Sequence, residues 1–247
     1  MASKPPAAIS PRSFLKGALV AAALGAGAIG AALSGSCNQD AFVSSFQAVR
    51  GDPYPLDELS RDVSADGAVV CPELELVTFR GDRVRLTPAV RVVAPFAERL
   101  RRFETTLIDV SLRHYGRAPK AVVNDGAYSC RSVRHRTERL SEHALGNAID
   151  VVGFDFGPIG PAAAADAGLD AGAAHVPLVL RGALRVRVEK HWKADSGEAA
   201  VLHARFLDEL TRALAEQNVF RSILGPSHPT HQTHFHLDMA PWTYFRP

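Results

Sequence analysis

Ser141 to Asp150 reads SEHALGNAID, and sets His143 and Asp150 seven positions apart with Gly146 between them. From Asn147 to Phe156 the chain runs on as NAIDVVGFDF, a pattern for a buried strand. Side chains alternate along a strand, so Ala148, Asp150 and Val152 share one face and Ile149 and Val151 the other. His143 then lies in the turn entering the strand. Gly146 lets the backbone fold tightly enough for that imidazole to come back over Asp150. A polar turn leading into a core strand is the plainer reading of the same residues.

A second pattern supplies the missing partner. Four of the ten histidines fall within HPTHQTHFH, His228 to His236. Histidine is not a favoured core residue, so packing alone explains such clustering poorly. If THFHLDM is a strand, His234, His236 and Asp238 point one way, and Phe235, Leu237 and Met239 point into the core. His143, Asp150 and His236 together offer two nitrogens and one carboxylate. That is a ligand set typical of catalytic zinc, with the fourth position open to water. Either pattern alone is weak, because a His-x-His strand also occurs as a passive metal-binding tract. Each supplies what the other lacks.

Around these motifs the chain reads as an α+β domain from about residue 70 to the C-terminus. CPELELVTFRGDRVRLTPAV, from Cys71, has strand-like alternation around a Gly-Asp turn. Phe96, Leu100, Phe103, Leu107 and Val110 follow helical spacing, with Gly116 as a stop. AVVNDGAYSC starts as a strand, and LRVRV (184–188) alternates like another. Leu202, Phe206, Leu210 and Leu214 mark a second helix. NVFRSIL predicts a short strand, and THFHLDM the last one. Residues 157–182 are Ala/Gly/Pro-rich and read as a surface insertion, and 37–69 as a polar linker.

The 28 basic and 26 acidic residues nearly balance, giving a net charge of +2. With no basic and aromatic patch and no phosphate loop, nucleic acid is not an expected partner. Lys4, Arg12 and Lys16 precede the uncharged run GALVAAALGAGAIGAALSGS, which ends at Cys37. Residues 1–36 thus have the layout of an export signal, and the cysteine after small residues suggests lipidation there. Leu33 stands four residues before Cys37, where lipoprotein processing prefers three. An uncleaved membrane anchor is the alternative. Cys71 and Cys130 remain, and an oxidising compartment permits them to pair; a buried free thiol is the other reading.

YSCR (128–131), RLSEHALGNAIDVVGF (139–154), Trp192, LGP (224–226) and HQTHFHLDM (231–239) resemble, in order, the extensin-like C-terminal domain of bacteria. That domain is similar to the zinc peptidase superfamily of D-Ala-D-Ala carboxypeptidases, lysostaphin-type endopeptidases and the hedgehog fold. The superfamily's Ser-x-His-x-x-Gly-x-Ala-x-Asp and His-x-His patterns fall on Ser141, His143, Gly146, Ala148, Asp150, His234 and His236. The resemblance implies a small antiparallel sheet flanked by helices, with zinc held by His143, Asp150 and His236. It implies that His234 handles the proton as general base. His231 competes for that role, and Glu142 is a third candidate that reads as facing solvent. Arg131 would hold substrate or the developing oxyanion; a surface charge beside Cys130 is the plainer reading. His114, His135, His175, His191 and His203 read as ordinary surface or helix residues. The 157–182 insertion and the absence of a cysteine near AEQNVF depart from the family pattern.

The expectation is an exported zinc metallopeptidase of the periplasm or cell envelope, cleaving peptidoglycan cross-links. The family resemblance favours a DD-endopeptidase over a D-Ala-D-Ala carboxypeptidase. The N-terminus or a lipidated Cys37 would tether it to the membrane. The rival is a murein-binding or metal-binding module on the same fold without turnover.

Overall fold

Val93 ends a strand in extended conformation, and Pro95 follows within the first helical turn. Proline's fixed φ and missing donor suit that position. Helix α1 (Ala94–Tyr115) therefore starts there, and it stops at Gly116, which takes the left-handed conformation. Phe96, Leu100, Phe103, Leu107 and Val110 are all buried, as their spacing predicts.

The computed structural model describes residues 47–48, 53–159 and 176–247. The proposed export segment, Cys37, His175 and the middle of the Ala/Gly/Pro-rich insertion lie outside the described residues. Before α1 come strands β1 (Gln47–Ala48), β2 (Leu76–Phe79), β3 (Arg85–Thr87) and β4 (Val90–Val93). After it come β5 (Ala121–Asn124), β6 (Ser132–Val133), β7 (Arg136–Leu140) and β8 (Ala148–Phe156). Then follow β9 (Leu184–Arg187), the short α2 (Val188–His191), α3 (Glu198–Glu216), β10 (Ser222–Leu224), β11 (Phe235–Asp238) and β12 (Trp242–Arg246). Among the described residues no helix is long and apolar enough to cross a membrane.

The main sheet runs β1-β12-β10-β11-β8-β5-β3, with β9 also paired to β8. It is larger than expected and mixed, since β10/β12 and β3/β5 are parallel. The Gly-Asp turn does not close a hairpin: β2 pairs with β4, while β3 joins the main sheet beside β5. THFHLDM is not the last strand either, because β12 follows and pairs with β10 and β1.

Strand β8 is the sheet's central ladder. It pairs with β5 on one side, and on the other with β11 over its first half and β9 over its second. Its register against β5 shifts: Val123 faces Gly153, but Asn124 faces Val151, so Val152 is the extra residue. A bulge reverses the alternation. Ile149 and Val151 before it, and Phe154 and Phe156 after it, thereby all join the core. Phe154 and Phe156 meet Phe206 of α3 edge-on, at 5.5 and 6.0 Å between ring centres. Helices α1 and α3 pack on each other over this surface.

The stretch read as linker is partly built into the domain. Tyr54 and Leu56 are buried in the core, and Arg61 is buried beside them. Asp62 bridges Arg139 of β7. The apolar residues that hold this segment are too sparse to show any period. Cys71 and Cys130 form a disulfide with their Cα atoms 5.9 Å apart. The described flanks of the insertion also pack: Val176 and Leu180 are buried, and Arg117 donates to the carbonyls of Leu180 and Gly182.

Two histidines read as ordinary belong to the interior. His191 and His203 are both buried, with rings 4.8 Å apart. The Tyr115 hydroxyl lies 2.8 Å from His203 Nδ1. Burial, helped by the positive charges of His191 and Lys190, pushes His203 down to about 4. The unfolded chain therefore binds this proton first, and stability is lost as pH falls from about 6.5 to 4. The full effect of such a shift is about 3 kcal/mol. Urea denaturation at pH 7 and 4.5 checks it: His203→Gln, which keeps a partner for Tyr115, should show a shallower acid loss than the wild type.

Candidate metal centre

Ser141 caps a four-residue 3-10 turn, Glu142–Leu145, by accepting the His143 N–H at 3.3 Å. Gly146 ends the turn at φ 60°, and a Cβ there would sit 2.7 Å from Leu76 Cδ2. Glycine is needed both for the conformation and for the space. The chain then enters β8, and His143 comes back over Asp150 as its spacing suggests. Across the sheet, His236 of β11 lies directly opposite Asp150 in antiparallel register. Opposed residues share a face, so the ladder delivers the third group of the set.

The three side chains converge. His143 Nε2 lies 3.2 Å from Asp150 Oδ2 and 3.1 Å from His236 Nδ1. His236 Nδ1 lies 2.9 Å from Asp150 Oδ1. All the facing atoms fall within 4.8 Å of one another, and no other group of three among the described residues does so. A tetrahedral ion bound at about 2.0–2.1 Å has ligand edges of roughly 3.3–3.4 Å, slightly wider than these contacts.

The outer nitrogens make the set suitable for a cation. His143 Nδ1 donates to the Ala127 carbonyl, which turns Nε2 inward toward Asp150 and His236. His236 Nε2 donates to Asp238 Oδ2 at 2.8 Å, and Asp238 Oδ1 accepts the Ala240 N–H at 2.9 Å. Histidine ligands of metals are held in this way, the outer N–H fixing tautomer and ring orientation. Asp238 shares the face of His236 two residues on, so the strand pattern already aligns it with the cluster. The Ala127 carbonyl had no sequence signal.

The electrostatics also favour a cation here. Burial opposes charge on Asp150, but hydrogen bonds from His143 and His236 hold its carboxyl far below the usual range. Burial likewise opposes charge on His236, yet Asp150 and Asp238 push it up to about 10. A divalent ion would replace the proton at His236 Nδ1, so uptake should release protons.

The remaining candidates separate. His234 is half-buried, with Nε2 3.5 Å from Asp150 Oδ1. Burial lowers its pKa, against the pull of Asp150. His231 lies 5.2 Å from both His234 and His236, ring to ring, and burial takes it down to about 3. Its Nδ1 is occupied by His228 and Thr230, each 3.0 Å away. Glu142 does not face solvent: it is buried against Arg61 and Asn147. The Arg131 side chain is exposed, and its hydrogen bond, at 3.5 Å, goes to the adjacent Ser132 carbonyl. Among the described residues no hydrogen bond or ion pair holds Arg131 against the cluster.

Loss of the Asp238 carboxylate frees the His236 ring to turn. Asp238→Asn should weaken zinc binding by roughly 10- to 100-fold, the usual effect of removing an outer-shell partner. Competition with a chromophoric chelator measures this, and an unchanged affinity would remove the orienting role.

No curated protein and no solved structure matches the chain. The family model described as extensin-like protein C-terminus matches residues 56–158, which include His143 and Asp150 but end before His234 and His236. The similarity to that family therefore covers less than half of the chain, in the segment carrying the first two members of the cluster.

Proposed function

We propose that this chain is an exported, zinc-dependent peptidase acting on the peptide cross-links of peptidoglycan. The observation that carries the reading is the convergence of His143 Nε2, Asp150 and His236 Nδ1, with both outer ring nitrogens already satisfied. Copper, nickel or manganese would also accept nitrogen and oxygen donors, but two imidazoles and one carboxylate are a characteristic set for catalytic zinc. When bound, zinc supplies Lewis acidity toward a carbonyl and lowers the pKa of water from ~15.7 to about 7.

The protein's own groups supply the rest. His234, kept neutral by its burial, accepts the proton of the attacking water and returns it to the amine leaving group. Asp150 and Asp238 keep negative charge around the histidines, which suits a bound cation. Arg131 would act on the substrate's oxyanion or carboxylate from the exposed edge of β6. A DD-endopeptidase is favoured over a D-Ala-D-Ala carboxypeptidase on family resemblance. An export segment at 1–36, with the N-terminus or a lipidated Cys37 as tether, would place the domain in the periplasm beside its substrate. The exposure of Arg131 favours the second reading, a module that binds murein or metal without turnover.

Digestion of purified, cross-linked murein separates these readings. Zinc-loaded protein should convert cross-linked dimers to monomers that together gain one water in mass, and a chelator should stop it. His236→Ala should abolish both metal uptake and cleavage. His234→Ala should keep the metal and lose about 100- to 10,000-fold in kcat, the range for a general base. Tight murein binding by the metal-loaded wild type with no new products would favour the module. Loss of a terminal D-Ala without loss of dimers would indicate the carboxypeptidase.

A further inference from the structure

Arg61 lies in the stretch that reads as linker, yet its side chain is only 5% exposed. Its Nε donates to Glu142 Oε1 at 2.6 Å and its Nη2 to Glu142 Oε2 at 3.3 Å. Nη1 donates to the carbonyls of Leu56 and Leu59. Glu142 is the first residue of the turn that carries His143. Its Oε2 also accepts from Asn147 Nδ2 at 2.7 Å, and its carbonyl accepts the Asn147 N–H at 3.0 Å. One carboxylate thus ties the two ends of the turn together, and Arg61 holds that carboxylate.

The surrounding chain reinforces the clamp. The Arg61 carbonyl accepts the Leu140 N–H at 2.6 Å, and Val63 N–H donates to Glu138. Four residues before Arg61, Asp57 pairs with Arg221 Nη1 at 2.6 Å, and the Arg221 N–H donates to the Asp238 carbonyl at 3.0 Å. Residues 54–63 therefore form a strap joined to both ligand-bearing elements, the His143 turn and the His236 strand. A four-residue 3-10 turn has poor internal hydrogen-bond geometry and relies on outside support.

We infer that Arg61 is a positioning residue, which through Glu142 and Asn147 fixes the turn presenting His143 Nε2 to Asp150 and His236. The inference rests on the metal-centre reading above. The guanidinium fork suits the role because it meets both carboxylate oxygens at once, whereas lysine offers a single charged point.

The test uses the full chain with zinc alone, so it does not depend on murein cleavage. Arg61→Lys and Glu142→Gln should keep the wild-type circular dichroism and lose roughly 10- to 100-fold in zinc affinity. Their cobalt-loaded forms should show altered visible absorption bands. Leu214→Ala, in the core of α3, should lower the melting temperature without moving the zinc affinity. Wild-type affinity and cobalt spectra in both variants would overturn the inference, as would a loss no greater than that of Leu214→Ala. If the variants fail to fold, the wild type still decides. Coupling is reciprocal, so zinc must slow hydrogen exchange at the Leu140 and Val63 amides; unchanged exchange there overturns the role. A wild type that takes up no zinc removes the metal-centre reading and this inference together, whereas wild-type affinity in the variants removes this inference alone.

Discussion

The register between β8 and β11 sets what the rest of the site can be. His236 stands opposite Asp150, and Leu237 opposite Ile149. A slip of β11 by one residue would turn His236 into the apolar core and Phe235 and Leu237 away from it. The side chains of Ile149, Val151, Phe235 and Leu237 oppose that slip, because all four belong to the buried apolar cluster. The same packing that stabilises the domain therefore brings a histidine and a carboxylate to hydrogen-bonding distance. The bulge at Val152 extends this arrangement, since it returns Phe154 and Phe156 to the core face.

The centre gathers several buried charges, and each has a partner. Asp150 faces two imidazoles, Asp238 holds His236 and the Ala240 amide, and Glu142 is matched by Arg61. Burial raises the pKa of Glu142, and the negative charge of Asp238 adds to that, while the Arg61 hydrogen bond opposes both. A buried ion pair of this kind need not add net stability, since desolvation offsets much of the attraction. Its geometric effect is clearer. Both histidines of the cluster are held by their outer nitrogens, and the turn that carries one of them is held from behind.

Much of this was legible in the chain. The alternation of THFHLDM and NAIDVVGF placed His236 and Asp150 on the strand faces turned away from the apolar core, and Gly146 marked the tight turn that returns His143. The 3,4-spaced apolar residues of α1 and the every-fourth set of α3 marked both helices, because helical period survives in any context where one face is buried. Short strands were harder. Trp242–Arg246 lacks a clean alternation, so β12 was missed, and the alternation from Glu73 to Val90 carried no information about which strands would pair. Glu142 read as solvent-facing because its neighbours show no partner; the partner is Arg61, 81 residues away. His203 was likewise unremarkable on its helix until Tyr115 and His191 closed around it.

The sequence by itself determined the donor types and their local presentation: two histidines and an aspartate, each on a turn or strand whose period is written in its neighbours. It also determined the helices that cover the sheet. Only the tertiary structure decided that these groups meet, with His143 Nε2 and His236 Nδ1 3.1 Å apart. It also decided that Arg131 stays exposed, and that residues 54–63 are a strap and not a tether. The reason is physical. Period and turn chemistry act over a few residues, whereas strand pairing and buried charge compensation join groups distant in the chain, and no local pattern encodes which distant partner will complete them.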